Sequence, residues 1–223
     1  MIQYEEICVY MEVKDKIFSE NNMYKRLKKA AKAEHLENLD HALEYSIEKH
    51  RGEMRKTNRF NKKARIPYII HPLMMACQAH ALGIKDDKVL AVTMLHDICE
   101  DCQVEPSELP FPQDIRDCVD RLTKRKDQPI EEYFAGIAKD STAAIVKALD
   151  RVNNVSTMSN AFSREKVIEY IEETEKYVYP LLDVIKYEYR DYNDAVFILK
   201  YHLKSLIESI KCFILLEELE KEN

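Results

Sequence analysis

The chain has 223 residues, of which 34 are Lys or Arg and 40 are Asp or Glu, so its formal net charge is −6. Only 3 residues are Gly, and because β-hairpins rely on Gly at positive φ, this composition disfavours a turn-rich sandwich or barrel. The net negative charge argues against non-specific nucleic-acid binding, which needs excess cations to neutralise phosphates. We therefore expect a helical protein of one domain.

Neither export nor membrane insertion is indicated by the sequence. The opening residues, MIQYEEICVYMEVKDKIF, lack the basic start and the unbroken apolar run of a signal peptide. No apolar run approaches the roughly 18 residues that a membrane span needs. The cysteines are scattered through helical patterns, which is typical of reduced thiols. We expect a cytoplasmic protein without membrane or nucleic-acid partners, and its oligomeric state stays open.

The first half of the chain is predicted to hold helices separated by a cationic loop. Apolar residues at helical spacing begin after Asn38, and Gly52 offers a stop. Residues 55–66 are rich in Arg and Lys and poor in apolar side chains, which predicts a loop. Pro72 suits the first turn of a helix, because the N–H that Pro lacks has no intrahelical partner there. A strongly apolar helix is then predicted over 88–99.

The second half also follows a helical period after a proline-rich loop. Helices are predicted over 113–124, 130–139, 142–153, 164–189 and from Asn193 to about residue 220. Pro180 predicts a kink or a break in the Tyr-rich helix 164–189. The last helix carries an apolar stripe that we expect to be buried, formed by Leu199, Leu203, Leu206, Ile210, Phe213 and Leu216.

Together these elements predict an all-α fold, a single bundle of about eight helices. We expect residues 1–34 to form an N-terminal extension, whose first twenty residues have no clear pattern. Residues 35–190 are predicted to form the main helical domain, and 191–223 a C-terminal amphipathic helix packed on it.

Four motifs carry side chains suited to chemistry: HRGEMRK at 50–56, PYIIHP at 67–72, HDICED at 96–101 and ALDRVNN at 148–154. An imidazole beside a carboxylate at a helix end, as in His96 and Asp97, can supply two ligands to one metal. Taken alone, such a pair is more often a capped helix end. The other motifs also have structural explanations, since His71 before a proline can be a helix N-cap.

The combination of these residues is harder to explain structurally. His71 precedes an apolar helix, His96 and Asp97 end one, and Asp150 lies within the apolar stretch AAIVKALDRV. An ionised Asp in such surroundings is costly unless it is paired, for example with Lys147 or Arg151, or bound to a cation.

The same motifs identify a family. In this order, H-x-G-x-x-R-K, P-Y-I-x-H-P, H-D-x-x-E-D and D-R-x-N-N-x-x-T resemble the hydrolase domain of the RelA/SpoT family, within the HD superfamily of metal-dependent phosphohydrolases. The match runs over about residues 38–160. The resemblance implies an HD-type fold and hydrolysis of the 3′-pyrophosphate of guanosine tetra- or pentaphosphate, giving GDP or GTP and pyrophosphate. Because the bifunctional relatives carry a further synthetase domain, we expect a small hydrolase without one.

The resemblance also implies roles for particular residues. One Mn²⁺ would be held by His71, His96, Asp97 and Asp150, a ligand set rich enough in oxygen for manganese. Glu100 and Asp101 match the family's acid/base pair. The positions that match nucleotide contacts are Arg55, Lys56, Asn153 and Thr157.

The sequence departs from the family pattern at several places, among them Val152 and Asn154, where the bacterial family often has His and Met. Ten residues, TNRFNKKARI, separate Lys56 from Pro67, where the family has only a few; they would either reach extra phosphates or form a solvated loop. Cys99 and Cys102 form a C-x-x-C, a spacing found in zinc and redox centres, but a four-Cys zinc site would need a second pair. We therefore interpret both cysteines as packing residues.

Two other functions stay open at this point. An HD phosphohydrolase could act on an adenosine alarmone or on the 2′-phosphate of NADPH, because purine choice depends on pocket geometry. The chain could also be a nucleotide-binding regulator without turnover, although every matched metal and acid/base position is present.

Overall fold

The computed structural model describes residues 18–56 and 65–222, which are predominantly helical. In chain order the helices are α1 (Glu20–Glu34), α2 (Glu37–Lys49), α3 (Ile70–Ala81), α4 (Asp87–Leu95), α5 (Ile98–Asp101), α6 (Gln113–Leu122), α7 (Ile130–Ile137), α8 (Ser141–Ala161), α9 (Arg164–Glu173), α10 (Tyr179–Glu188) and α11 (Asn193–Glu222). Two short strands, β1 (Met54–Lys56) and β2 (Arg65–Pro67), form an antiparallel ribbon. The predicted all-α class is confirmed. Across the two described stretches, every helix is too short or too polar to cross a membrane.

Helix α4 forms the centre of the core. All its residues from Val89 to Leu95 are buried, because this segment is almost wholly apolar. Its polar exception is Thr93, whose hydroxyl donates to the Val89 carbonyl oxygen at 2.7 Å. Helices α2, α3 and α8 pack around α4. The polar residues that follow α4 are therefore held by an apolar frame on several sides.

A residue of α4 also caps α2. Leu36 occupies the N-cap position of α2 and has no side-chain acceptor to offer. The Asp87 carboxylate supplies the missing acceptor, since it accepts from the backbone N–H of Leu39 at 2.8 Å and of Asn38 at 3.0 Å. A negative charge at this end also complements the helix dipole. The start of α2 is thereby fixed against the start of α4.

The predicted helix over 88–99 is interrupted. Helix α4 ends at Leu95, and Asp97 adopts φ −101° and ψ −5° before α5 begins. In a continuous helix, consecutive side chains diverge by about 100° around the axis. The interruption lets His96 and Asp97 approach the same point.

The two ends of the predicted cationic loop over 55–66 pair with each other as the strands of the antiparallel ribbon. Arg55 lies opposite Ile66 in the ribbon, and the backbone N–H of Tyr68 donates to the Glu53 carbonyl oxygen at 3.0 Å, next to the ribbon. Residues 57–64, most of the predicted insertion, lie outside the described part of the chain. The ribbon places Arg55 beside α8.

The predicted break near Pro180 is confirmed. A π-helical turn over Thr174–Val178 separates α9 from α10, and Pro180 is the second residue of α10. Proline lacks an N–H, and its ring crowds the carbonyl four residues earlier, so the widened turn provides the space it needs.

The apolar stripe of α11 is buried only in its first half. Leu199 and Leu203 are fully buried, but Phe213 is 68% exposed, so its predicted burial was wrong. Helix α11 continues beyond Ile207, its last fully buried residue among those with described side chains, and periodicity alone does not show where its packing partners end.

The domain boundaries stay a prediction. The first 17 residues of the extension lie outside the described stretches. Helix α1, which makes up most of the remainder, packs against α2 and α3, with Leu27 fully buried. Helix α11 packs against α8 and α10.

Candidate active site

Three elements around the core bring the four predicted metal ligands together. His71 lies in the first turn of α3, His96 and Asp97 fill the interruption after α4, and Asp150 lies in the middle of α8. His71 Nε2 is 3.3 Å from Asp150 Oδ1 and 3.5 Å from Asp97 Oδ2. His96 Nε2 is 2.9 Å from Asp97 Oδ2 and 3.9 Å from Asp150 Oδ1. Ligand atoms of His71, His96 and Asp97 thus all lie within 4.8 Å of one another, and Asp150 Oδ1 approaches both imidazoles from α8.

Hydrogen bonds behind the rings fix which nitrogen of each histidine faces this point. His96 Nδ1 donates to the Thr93 carbonyl oxygen at 2.9 Å, and a carbonyl can only accept. His71 Nδ1 donates to Asn153 Oδ1 at 2.7 Å. The two Nε2 atoms therefore face the carboxylates and are the atoms that would bind a cation once unprotonated, the arrangement that metal-binding histidines require.

These residues fit a divalent cation. His96 Nε2 is buried and has no hydrogen-bond partner among the described residues, although Asp97 lies beside it. The buried carboxylate of Asp150 and the partly buried one of Asp97 also need positive charge. Burial alone would lower the pKa of His96, but the carboxylates of Asp97 and Asp150 outweigh it and raise that pKa to about 9. A proton on His96 and a bound cation are alternative ways of balancing the same charge.

Asp150 is connected to the solvent-exposed side of the site through a chain of polar groups. Its Oδ2 accepts from Lys147 Nζ at 3.0 Å, so Lys147 is the one of the two candidate partners that pairs with Asp150. Its Oδ1 accepts from the side-chain amide of Asn154, whose own oxygen accepts from the Arg55 guanidinium. Burial opposes ionisation of Asp150, but Lys147 and the histidines hold its pKa well below the usual range.

Arg151, the other partner considered for Asp150, points away from the site. Its buried guanidinium donates to Thr174 Oγ1 at 3.1 Å and pairs with Glu173, and it stacks over the Tyr170 ring. Arg151 therefore ties α8 to the π-helical turn and is a structural residue.

Tyr68 is a contributor that sequence reasoning did not single out. Its hydroxyl donates to Asp97 Oδ2 at 2.5 Å. It also hydrogen-bonds to Asp101, which lowers the pKa of that carboxyl against the larger opposing effect of desolvation. Tyr68 belongs to the quoted motif PYIIHP, so its neighbour His71 was the available signal.

The predicted acid/base pair lies at the rim of the centre. Glu100 Oε1 accepts from the backbone N–H of Lys124 at 2.6 Å, which fixes the carboxyl in place. Partial desolvation raises the pKa of both Glu100 and Asp101, and the nearby Asp97 charge adds to this effect. Both groups thus hold a proton more readily than ordinary surface carboxylates do, which suits proton transfer.

An open cleft lies beside the centre. Its volume is about 340 Å³, and it is lined by Arg55, Thr157, Met158, Ala161, Phe162, Ser163 and Lys166. Ser163 caps α9, accepting from the backbone N–H of Lys166, so the positive end of that helix dipole also faces this region. The cleft combines two cations, an aromatic ring and hydroxyls, which suits an anionic nucleotide.

The four predicted substrate residues occupy different positions. Arg55 and Thr157 line the cleft. Asn153 is buried behind His71, and the side chain of Lys56 lies outside the described part of the structure. Sequence reasoning missed Lys166, because a lysine at the start of an amphipathic helix has no distinguishing pattern.

No protein-family model matches the chain. It is 31% identical over 158 residues to guanosine-3′,5′-bis(diphosphate) 3′-pyrophosphohydrolase of Aquifex aeolicus, covering 66% of this chain and 21% of that protein. It is 32% identical over 143 residues to the enzyme of the same name from Xenopus tropicalis, covering 59% of this chain and 77% of that protein. The chain belongs to the guanosine-3′,5′-bis(diphosphate) 3′-pyrophosphohydrolase family.

Membership in this family confirms the resemblance identified from the motifs. A solved structure of a metazoan orthologue of SpoT, described as hydrolysing ppGpp, shares the fold. Its TM-score is 0.60 at 20% identity, over 77% of this chain and 94% of that one. The chain spans between a fifth and a quarter of the length of the Aquifex aeolicus and Borreliella burgdorferi relatives, at 21% and 25%.

Proposed function

We propose that this chain hydrolyses the 3′-pyrophosphate of guanosine 3′,5′-bis(diphosphate), and of the corresponding pentaphosphate, with one Mn²⁺ at the centre. The observation that carries the proposal is the convergence of His71, His96, Asp97 and Asp150 beside a cationic cleft. Family membership supplies the substrate class, since the Aquifex aeolicus and Xenopus tropicalis relatives are named for this hydrolysis.

Manganese is proposed from the chemistry of the donors. Two imidazoles and two carboxylates form an oxygen-rich mixed set, which accepts Mn²⁺. When bound, the cation would supply Lewis-acid polarisation of water and of a phosphate oxygen. His71 and His96 would contribute Nε2 lone pairs, and Asp97 and Asp150 would contribute negative charge.

The chain's own residues would perform the proton transfers. Glu100 and Asp101 lie close enough to Asp97 to feel its charge, and either carboxylate can take a proton from the attacking water. Water adds to the phosphorus attached to the ribose 3′-oxygen, and the bond between that phosphorus and the 3′-oxygen breaks. The 3′-oxygen leaves with a proton, so the products are GDP and pyrophosphate. Tyr68 would hold Asp97 and Asp101 in position.

Substrate recognition is assigned to the cleft. We propose that Arg55, Lys56 and Lys166 contact phosphates or the base, because a guanidinium both stacks on a purine and binds phosphate. Thr157 would donate a hydroxyl. Asn153, predicted as a nucleotide contact, is proposed to act mainly by orienting His71.

Product analysis tests the proposal and its alternatives. Chelated and purified chain is reloaded with Mn²⁺ and incubated separately with ppGpp, its adenosine analogue and NADPH. We expect pyrophosphate and GDP from ppGpp. Release of inorganic phosphate from NADPH at a higher kcat/KM would instead favour a 2′-phosphatase. Tight binding of ppGpp without any product would indicate a regulator.

A further inference from the structure

A second group of donor atoms lies near the active site and takes no part in it. His50 follows the end of α2, Glu53 precedes β1, and Cys102 follows α5. His50 Nδ1 is 3.1 Å from Glu53 Oε2 and 3.5 Å from Cys102 Sγ, and Cys102 Sγ is 4.0 Å from Glu53 Oε1. Three different ligand types from two segments, residues 50–53 and Cys102, thus face one another.

These separations match the edges of a tetrahedral zinc site. With Zn–S near 2.3 Å and Zn–N or Zn–O near 2.0–2.1 Å, tetrahedral angles place neighbouring donors about 3.3–3.6 Å apart. The observed 3.1 and 3.5 Å lie close to that range, and a rotation of the half-buried Glu53 carboxylate shortens the 4.0 Å edge. A cation would need no movement of the backbone.

Hydrogen bonding alone leaves this group incompletely paired. The His50 side chain is 1% exposed, so the imidazole nitrogen that faces Glu53 and Cys102 is withdrawn from water. The contacts from Cys102 are long and weak, because a thiol is a poor donor. A cation bound through Nδ1 would replace these weak contacts with three strong bonds.

The other cysteine of the C-x-x-C does not belong to the group. Cys99 hydrogen-bonds to Thr123 and packs against the core. The C-x-x-C spacing therefore does not define this group, since its other two members come from the motif HRGEMRK, and only Cys99 fits the packing role predicted for both cysteines. Cys99 is a matched control for Cys102.

We propose that His50, Glu53 and Cys102 form a second cation site, selective for zinc because it contains a thiolate, with water as the fourth ligand. A thiolate selects zinc over manganese, whereas the centre around Asp97 contains no sulfur. The two sites are thus expected to take different metals. The proposal does not rest on the proposed function.

Cobalt(II) as a zinc substitute provides the test. We expect the chelated chain titrated with Co²⁺ to develop a thiolate-to-cobalt charge-transfer band that saturates as the site fills and is abolished by Zn²⁺. Cys102→Ser should lose the band, Cys99→Ser should keep it, and His50→Gln should weaken cobalt binding at least about tenfold. A band that survives Cys102→Ser, or no band in the unmodified chain at saturating cobalt, overturns the proposal.

A second measurement does not depend on how the variants fold. Unmodified chain is treated with iodoacetamide with and without one equivalent of Zn²⁺, and alkylation is quantified at each cysteine by peptide mass spectrometry. Zinc should protect Cys102 at least about tenfold and leave Cys99 unchanged, because only a metal-bound thiolate is withdrawn from reaction. Equal alkylation of Cys102 with and without zinc contradicts the site.

Discussion

The buried centre and the open cleft meet at Asp150, yet they are held in place by different means. The centre is formed at the ends and middle of core helices, and each ligand has a further partner behind it, as His71 has Asn153. The cleft is formed by a ribbon and the start of a helix, with long side chains such as Arg55 and Lys166. Changes in the centre should therefore affect chemistry, and changes in the cleft should affect binding.

The strongest test of this contrast removes a metal ligand. Asp97→Ala and His71→Ala should each lose bound Mn²⁺ and reduce pyrophosphate release to background, because each removes one of the four proposed ligands of the cation. Metal content by plasma mass spectrometry and product release check this. Asp183→Ala, which removes a surface carboxylate paired with Lys200, is the control and should keep both. Full turnover after exhaustive chelation would contradict the metal centre.

The acid/base pair should separate chemistry from metal binding. Glu100→Gln and Asp101→Asn should retain the metal and lower kcat by about 10²–10⁴-fold, the usual contribution of a positioned proton-transfer group. Metal content and single-turnover rates measure the two effects. Loss of metal in either variant would mean that the residue is itself a ligand.

Metal affinity should depend steeply on pH. His96 has its pKa raised to about 9, so below that value a proton competes with the cation for the same imidazole. Affinity should rise about tenfold per pH unit between about pH 6 and 8 and level off above 9, with one proton released per cation from this residue. Calorimetry in buffers of different ionisation enthalpy counts the protons. A flat affinity over this range would show that His96 is already neutral.

Tyr68→Phe should have an intermediate effect. It removes a hydrogen bond to Asp97 and one to Asp101, and hydrogen bonds to charged groups contribute about 1.5–3 kcal/mol. We expect kcat to fall about tenfold. The acid limb of the pH profile should move to higher pH, because the tyrosine hydroxyl lowers the pKa of Asp101. A loss of activity with an unshifted pH profile would mean that Tyr68 only supports packing.

The smallest effects on kcat are expected from changes in the cleft and in the cationic insertion that follows Lys56. Lys166→Ala, and neutralisation of the insertion residues Arg59, Lys62, Lys63 and Arg65 together, should raise KM, weaken its salt dependence and change kcat only a few-fold. Steady-state kinetics at several ionic strengths measure this. A large fall in kcat at unchanged KM would show that these residues help to assemble the centre.

The sequence could single out His71, His96 and Asp97 because they lie in compact motifs next to helix ends, and Asp150 because it is a charge within an apolar helix; their role as metal ligands stays a prediction. It predicted α4 and the break at Pro180 for similar reasons, since periodicity and proline chemistry are local. It could not show that Asp97 interrupts α4, because that depends on His71 and Asp150 from distant segments. Nor could it show that Phe213 is exposed, since the apolar period of a helix continues past the end of its partners. Asn153 and Tyr68 gained their roles only from the three-dimensional contacts.

The fully packed helix α4 has a consequence for how this family can change. It is 9 residues long, with the Asp87 carboxylate attached to α2 at its start and the His-Asp pair at its end. Deleting one residue within it would rotate that pair by about 100° and draw it back by about 1.5 Å. The length of α4 thus sets the distance and angle between its contact with α2 and the His-Asp pair. We therefore expect α4 to accept side chains of equal volume but no insertion or deletion, whereas the ribbon and the loops should accept changes of length.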